Sequence, residues 1–168
     1  MSDKEYMHLK HTNKPVWDCN CESIILGTFP SVLSRKNKFF YGNPQNRFWR
    51  VMAHVLGFAT PQTVEEKKNM LLSCKIALWD VIDECDIIGS SDSSIKNVIP
   101  NNVSEIINKS AINKIFVNGA TAERLYNKYL FKTINIKPIL LPSTSPANAS
   151  YSFERLCDKW AVINEKQY

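Results

Sequence analysis

The sequence SIILGTFPS at residues 23–31 decides the fold. Residues 23–29 contain an unbroken apolar run, which is typical of a strand that is buried on both faces of a sheet. Such strands belong to parallel sheets with helices packed on both sides. The glycine, threonine, proline and serine that close the stretch predict a loop where backbone can approach a ligand closely.

Three further apolar or β-branched runs predict the other strands, at residues 75–82, 114–118 and 137–141. Apolar residues at helical spacing predict the helices, at residues 46–56, 62–73, 103–109, 120–130 and 153–163. This alternation indicates βαβ units, and hence an α/β fold with a mostly parallel sheet. The Ser- and Asp-rich segment 89–97 is predicted to be a loop within a single domain that spans residues 1–168.

Composition and charge give broader expectations. The 21 Lys and Arg against 16 Asp and Glu give a net charge of +5, which favours a polyanionic partner but is also common among ordinary soluble proteins. No apolar run approaches the roughly 20 residues that cross a bilayer. The segment 1–14 lacks the apolar centre of a secretory signal. We therefore expect a monomer without a membrane span, located in the cytoplasm, or in the nucleus if the source is a eukaryote.

The cysteines and histidines predict no metal site. The five cysteines are Cys19, Cys21, Cys74, Cys85 and Cys157. Their spacing lacks the close pairs of zinc sites and of four-cysteine iron–sulfur clusters, so free thiols are expected. The histidines are His8, His11 and His54, and they are too scattered along the chain to predict a catalytic dyad.

Basic and aromatic residues share the segment 35–47. The basic residues are Arg35, Lys36, Lys38 and Arg47, and the aromatic residues between them are Phe39, Phe40 and Tyr41. This interleaving favours a surface that contacts phosphates and stacks on a base. The alternative is a solvated charged face beside aromatic residues of the core.

Each predicted strand runs into a loop of small or short polar residues. The four loops contain Gly27–Ser31, Trp79–Asp80, Asn118–Ala120 and residues 142–149. Ligands of open parallel sheets bind outside the carboxyl ends of the strands, so these loops predict the functional crevice. Ordinary turns between strands and helices are the alternative.

Four segments in these loops and beside them resemble a known family. They are GTFPS at residues 27–31, YGNPQNRFW at 41–49, LWDVI at 78–82 and LPSTSPANA at 141–149. Their order and spacing are similar to the hypoxanthine-DNA glycosylase branch of the uracil-DNA glycosylase superfamily, from about residue 23 to residue 160. The resemblance implies a three-layer α/β/α domain with a central four-stranded parallel sheet. It also implies hydrolysis of the N-glycosidic bond of a flipped-out base in damaged DNA, with no metal and no cofactor.

The resemblance also suggests which group handles water. Uracil enzymes of the superfamily carry an Asp or Asn in the first motif, where this chain has Thr28, Phe29 and Pro30. By similarity to the hypoxanthine branch, Asn46 is the candidate, because an amide carbonyl can hold and polarise water. A helix N-cap is the alternative role for Asn46, and Asn43 is its rival for the water.

The remaining site residues are implied in the same way. The expected base-binding residues are Thr28, Phe29, Pro30, Ser31, Tyr41, Asn43, Asp80 and Asn118. Phe29 and one of the aromatic residues 39–41 would stack on the base, with core packing as the alternative. Asp80 would accept a hydrogen bond from a purine N–H, or would cap a following turn.

The last loop separates the hypoxanthine and uracil branches. Leu141 stands where uracil enzymes have a histidine that supports charge on the departing uracil. The resemblance implies that this loop enters the minor groove, where Ser143, Thr144 and Ser145 contact phosphates and Asn148 lies near the gap left by the base. A proline-rigidified turn is the alternative.

Two other functions compete with the removal of hypoxanthine. One is a uracil or mismatch-directed glycosylase, and the other is a non-catalytic DNA-binding module of the same fold.

Overall fold

The computed structural model describes residues 5–165, so residues 1–4 and 166–168 of the predicted domain lie outside the described residues. The strands are β1 (Met7–Lys10), β2 (Ser23–Gly27), β3 (Ile76–Asp80), β4 (Ile82–Ile87), β5 (Lys96–Pro100), β6 (Lys114–Asn118) and β7 (Ile139–Leu141). The helices are α1 (Val32–Asn37), α2 (Phe48–Leu56), α3 (Val64–Ser73), α4 (Val103–Asn108), α5 (Ala120–Tyr129), α6 (Phe131–Ile134) and α7 (Phe153–Trp160).

The central sheet has four parallel strands in the order β3-β2-β6-β7, which confirms the predicted α/β class and sheet. All five residues of β2 are buried, as its apolar run predicts. Because β2 lies between β3 and β6, both of its edges are paired and both of its faces are covered. The carboxyl ends of the four strands consequently meet at one edge of the sheet.

Helices cover both faces of this sheet. On one face, Ile25 and Leu78 of the sheet share a core with side chains of three helices, namely Met52 of α2, Leu71 of α3 and Trp160 of α7. On the other face, Ile24 and Leu26 join a core that holds side chains of α4 and α5, including Ile106, Leu125 and Tyr126. The three layers implied by the resemblance are thus present.

A second, antiparallel sheet in the order β1-β4-β5 lies outside the sequence prediction. The predicted strand 75–82 is two strands, because the chain turns at Val81, and the predicted loop 89–97 gives way to β5 at Lys96. Register shifts interrupt the β4–β5 ladder twice, so the buried residues of β4 are Ile82, Cys85 and Ile87. Bulges of this kind break the strict alternation by which a strand is recognised in a sequence.

Two short segments next to the sheet also differ from the prediction. Helix α1 follows β2, where the sequence predicted only a loop, and the Ser31 side chain caps its first turn by accepting from the Ser34 N–H. Helix α2 begins at Phe48 rather than at residue 46. Asn46 therefore lies in the turn before the helix, at the edge of the sheet where the strands end. No helix among residues 5–165 is long and apolar enough to cross a membrane.

Candidate active site

A cleft of about 520 Å³ opens at the carboxyl ends of the parallel strands. Its walls come from the loop after β2, the turn before α2, the loop between β4 and β5, and the loop after β7. Clefts of this size suit small ligands, and this position is where open parallel sheets bind them.

The predicted catalytic and base-binding residues all line this cleft: Thr28, Phe29, Pro30, Ser31, Tyr41, Asn43, Asn46, Asp80 and Asn118. The predicted phosphate-contacting residues Ser143, Thr144 and Ser145 also line it. The roles of these residues remain predictions, since lining a cleft fixes the position of a side chain and not its chemistry.

Asp80 forms a buried pair with His11, which the sequence did not single out. His11 Nε2 lies 2.8 Å from Asp80 Oδ2, and both side chains are almost completely buried. The backbone N–H of Asn13 donates to His11 Nδ1 over 3.1 Å, so that nitrogen carries the lone pair. The ring proton is therefore on Nε2, and His11 donates it to the carboxylate. The two residues lie 69 positions apart in the chain, so spacing offered no signal for this pair.

Gly27 leaves room for two polar atoms on the cleft floor. A Cβ at this position would collide with Asp80 Oδ1 and would lie 2.9 Å from the Tyr41 hydroxyl oxygen. Both atoms therefore flank the bare backbone of Gly27, which also lines the cleft. Burial, reinforced by the negative charge of Asp80, raises the pKa of Tyr41 well above its usual range, so the phenol keeps its proton.

A chain of hydrogen bonds connects three loops around Asn46. Asn118 Nδ2 donates to Thr144 Oγ1 over 3.1 Å, and the Thr144 hydroxyl donates to Asn46 Oδ1 over 2.9 Å. The backbone N–H of Phe48 also donates to Asn46 Oδ1, over 2.9 Å. Both acceptor positions of the Asn46 carbonyl are thus occupied, so the prediction that this carbonyl holds the water is wrong for this arrangement. The Nδ2 donors of Asn46 remain for a ligand or a water.

The rival residue Asn43 has the acceptor capacity that Asn46 lacks. Its Oδ1 accepts one hydrogen bond, from the Gln45 N–H over 2.9 Å, which leaves one acceptor position. Asn43 and Asn46 both line the cleft from the same turn. The two amides therefore offer a water molecule complementary contacts, an acceptor from Asn43 and donors from Asn46.

Thr144 and Arg47 differ from their predicted roles as phosphate contacts. Thr144 is completely buried, so its side chain cannot reach a phosphate in this conformation, and it connects Asn118 to Asn46 instead. The Arg47 guanidinium donates to three backbone carbonyls of the loop after β7, those of Ser145, Asn148 and Tyr151. Arg47 is half-buried, and these hydrogen bonds fix the shape of that loop.

The other predicted DNA contacts divide by exposure. Lys36 and Lys38 are exposed at the end of α1 and immediately after it. Arg35 is only half-exposed, and its guanidinium lies 5.8 Å from the centre of the Phe29 ring. Burial lowers the pKa of Arg35. The Asn148 side chain donates to the Ser143 carbonyl over 3.0 Å, which stabilises the loop from within.

The aromatic residues predicted to stack on the base lie in two places, the cleft and the core. Phe29, Phe40 and Tyr41 line the cleft, whereas Phe39 is buried against Trp49 and is absent from the cleft lining. Tyr41 stacks on Phe48 with the ring centres 4.0 Å apart. Phe39 therefore takes the alternative role of core packing.

The loop between β4 and β5 adds a polar wall where the sequence predicted only a connection. Ser90, Ser91, Asp92 and Ser93 all line the cleft. Asp92 reaches solvent, yet desolvation by the surrounding walls and, secondarily, the charge of Asp80 raise its pKa to about 6. The density of Ser and Asp in this segment was the available signal.

The cleft carries a negative charge within a basic protein. Its described lining contains Asp80 and Asp92 but neither Lys nor Arg. An acidic interior disfavours phosphate and favours a neutral group with N–H donors. In the part of the chain that the structure describes, no three His, Cys, Asp or Glu residues come together in a way that could hold a metal ion.

Comparisons with known proteins identify relatives in sequence and in structure. The chain is 35% identical over 152 residues to a hypoxanthine DNA glycosylase from Methanosarcina acetivorans, a match that covers 88% of this chain and 94% of the relative. It is 34% identical over 84 residues to a protein of the same name from Methanosarcina barkeri, covering 49% and 53%. The solution NMR structure of a candidate uracil DNA glycosylase from Methanosarcina acetivorans superposes with a TM-score of 0.79 at 33% identity, covering 94% of this chain and 98% of the other. No family model matches the sequence.

Proposed function

Because the chain belongs to the hypoxanthine DNA glycosylase family, we propose that it releases hypoxanthine from DNA by hydrolysing the N-glycosidic bond of a flipped-out nucleotide. The observation that carries the proposal is the acidic cleft at the carboxyl ends of the strands, which suits an uncharged base. The basic residues Lys36 and Lys38 lie outside it, where a phosphate backbone would pass.

Hydrolysis of this bond builds positive charge on the sugar, which an acidic cleft stabilises, and negative charge on the departing base, which hydrogen-bond donors of the cleft must offset. Phe29 lines the cleft as an aromatic surface for the base, and Tyr41, whose ring stacks on Phe48, presents its hydroxyl there. Asn46 positions the attacking water by donating a hydrogen bond to it from Nδ2. Asn43 Oδ1, which has one acceptor position free, accepts a hydrogen bond from the same water. Asp80 faces the base. Ser143 and Ser145, which are half-exposed beside the cleft, contact the backbone of the opened strand.

The proposed enzyme is monofunctional, acts as a monomer and works in the compartment that holds the DNA, cytoplasm or nucleus. The described cleft lining contains no lysine that could form a covalent imine with the sugar. We therefore expect release of the base to leave an intact abasic strand.

A lesion panel tests the proposal. Purified protein is incubated with single-stranded and duplex oligonucleotides that carry hypoxanthine, uracil, xanthine or ethenoadenine, and abasic sites are cleaved afterwards with hot alkali. Cleavage is expected at hypoxanthine, also in the presence of EDTA, and only after alkali. Cleavage at uracil alone would favour the uracil-directed alternative, and tight binding of lesion DNA without cleavage would favour the non-catalytic module.

A further inference from the structure

On the cleft floor, Asp80 Oδ1 is free to accept a hydrogen bond and Tyr41 Oη is free to donate one. Asp80 Oδ2 is paired with His11, while Oδ1 has no hydrogen-bond partner among the described residues and flanks Gly27. The Tyr41 oxygen accepts from Asn118 Nδ2 over 3.1 Å, so its own hydrogen stays available. An acceptor and a donor therefore lie side by side where a base would enter.

This pair matches the edge that deamination creates. Hypoxanthine presents N1–H, a donor, next to O6, an acceptor. Adenine, from which hypoxanthine arises, presents the reverse, since its N1 is an acceptor and its N6 amino group is a donor. A carboxylate oxygen facing N1 and a phenol hydroxyl facing position 6 would pair with the first edge and oppose the second.

The family resemblance already implies that Asp80 accepts from a purine N–H. We propose that Tyr41 completes the reading of this lactam edge, with Oη donating to O6 while Asp80 Oδ1 accepts from N1–H, and that His11 is the positioning residue that fixes Asp80. The inference rests on the proposed function, because it assumes that the cleft holds a base.

His11 can act only as a donor towards position 80. Its Nδ1 is held by the Asn13 N–H, so Nε2 must carry the proton and must face an acceptor. In an Asp80→Asn variant the amide oxygen would consequently face His11, and the amide nitrogen would face the cleft. The substitution would therefore invert the polarity that a base meets, from acceptor to donor.

Tyr41 is held as a donor by its surroundings. Its ring is fixed against Phe48, with 4.0 Å between ring centres, and Asn118 occupies an acceptor position of its oxygen. An ordinary phenol is protonated at neutral pH, and burial raises the pKa of Tyr41 further, so its hydroxyl keeps its hydrogen. Nothing in this arrangement depends on the attacking water, so recognition of the base can be tested without catalysis.

Binding of free bases tests the proposal. Hypoxanthine, unsubstituted purine and adenine are titrated by NMR into the wild type and into Asp80→Asn, Tyr41→Phe, His11→Leu and His11→Gln. The wild type should prefer hypoxanthine. Asp80→Asn should weaken hypoxanthine by about 10- to 100-fold, the range for leaving a buried polar group unpaired, and should strengthen purine and adenine. Tyr41→Phe should weaken hypoxanthine but leave purine, which lacks O6, unchanged.

The His11 variants separate positioning from simple structural support. His11→Leu should erase the preference for hypoxanthine, and His11→Gln, which retains a donor for Asp80, should restore it in large part. Each variant is compared with the wild type by its amide NMR spectrum. If Asp80→Asn fails to fold, Tyr41→Phe still tests the donor half of the pair by itself.

Two results would overturn the inference: equal affinity of the wild type for hypoxanthine and adenine, or variants that weaken all three bases alike. Excision by the same proteins is measured separately. Inverted base preference without any excision would retain the edge reading and reject the glycosylase. Excision of hypoxanthine by the wild type, together with an unchanged base preference in Asp80→Asn, would support the glycosylase and reject the edge reading.

Discussion

The hydroxyl of Thr144 donates to Asn46 Oδ1 over 2.9 Å and so joins the loop after β7 to the turn before α2. Thr144 is completely buried, and it also accepts from Asn118 Nδ2 over 3.1 Å. This hydroxyl and the Phe48 N–H together set the orientation of the Asn46 amide, with its carbonyl turned inwards and its Nδ2 left for the cleft. The geometry of the proposed water site depends on this side chain.

Replacing Thr144 with Val keeps the volume and removes the hydroxyl. Asn118 Nδ2 would lose an acceptor and Asn46 would lose a donor inside the protein, so the free energy of unfolding should fall by about 1–3 kcal/mol. Urea denaturation measures this loss. Thr144→Ser retains the hydroxyl and serves as the matched control, with a smaller loss expected from the missing methyl group. Equal losses in the two variants would show that packing rather than hydrogen bonding accounts for the burial of Thr144.

Replacing Asn46 with Ala should slow single-turnover release of hypoxanthine by roughly 100-fold or more, because a positioned group is lost from the water site. Affinity for lesion DNA should change little. The same substitution removes the acceptor of the Phe48 N–H and of the buried Thr144 hydroxyl and should cost about 1–3 kcal/mol of stability, which thermal unfolding measures.

Asn43→Ala is the comparison for Asn46→Ala. If the two amides share the water as proposed, both variants should be slow. A normal rate in Asn46→Ala together with a complete loss in Asn43→Ala would assign the water to Asn43 alone and reduce Asn46 to a helix cap.

The exposed pair Lys36 and Lys38 should contribute charge rather than sequence selectivity. Replacing both with Ala should weaken binding to every duplex. The plot of log affinity against log salt should become less steep by about 0.9 for each phosphate that the variant no longer neutralises. Lys128 and Lys132, which are also exposed but lie at the far end of α5 and in α6, provide the control pair. An equal change of slope in both double variants would show a general charge effect without a defined DNA path.

Asp92 should make stability depend on pH. Its pKa is raised from 3.8 to about 6, so the folded protein holds a proton that the unfolded chain releases between these values. The wild type should therefore lose stability as pH rises from about 4 to about 6, and Asp92→Asn should remove that loss. The variant should be more stable than the wild type at pH 7.5 and similar to it at pH 4.

Asp86 offers a control of opposite sign. Hydrogen bonds from Asn97 and His8 lower the pKa of Asp86, so its contribution to stability is present at neutral pH and is lost as pH falls through the lowered pKa. Asp86→Asn should accordingly be less stable than the wild type at pH 7.5. Identical pH profiles for the wild type and Asp92→Asn would contradict the raised pKa of Asp92.

The sequence predicted the central sheet because buried parallel strands such as β2 carry an uninterrupted apolar run, Ile24 to Leu26, rather than an alternating pattern. It missed the antiparallel strands β1, β4 and β5. In β4, register shifts place Ile82 and Cys85 on the buried side at a spacing that simple alternation does not produce. Short, bulged strands therefore carry a weaker pattern than central ones.

The sequence predicted the site residues that lie where strand ends bring loops together. It did not predict side-chain pairs between residues far apart in the chain. The residues after β2, β3 and β6 converge as the topology requires. The His11–Asp80 pair joins positions 69 residues apart. Residue type alone did not reveal that Arg47 binds backbone carbonyls of the loop after β7 or that Thr144 is completely buried. From sequence alone, a positive charge or a hydroxyl group suggests a phosphate contact. The structure can show that such a side chain is buried or already hydrogen-bonded within the protein.

The central claim is the release of hypoxanthine itself, and mass spectrometry of the small-molecule products measures it most directly. The wild-type protein is incubated in EDTA with a duplex that contains one deoxyinosine, and the matched duplex with adenine at that position is the control. We predict free hypoxanthine in an amount equal to the abasic strands formed, no free adenine, and no strand cleavage before alkali. The absence of free hypoxanthine from a folded protein that binds the deoxyinosine duplex would contradict the account.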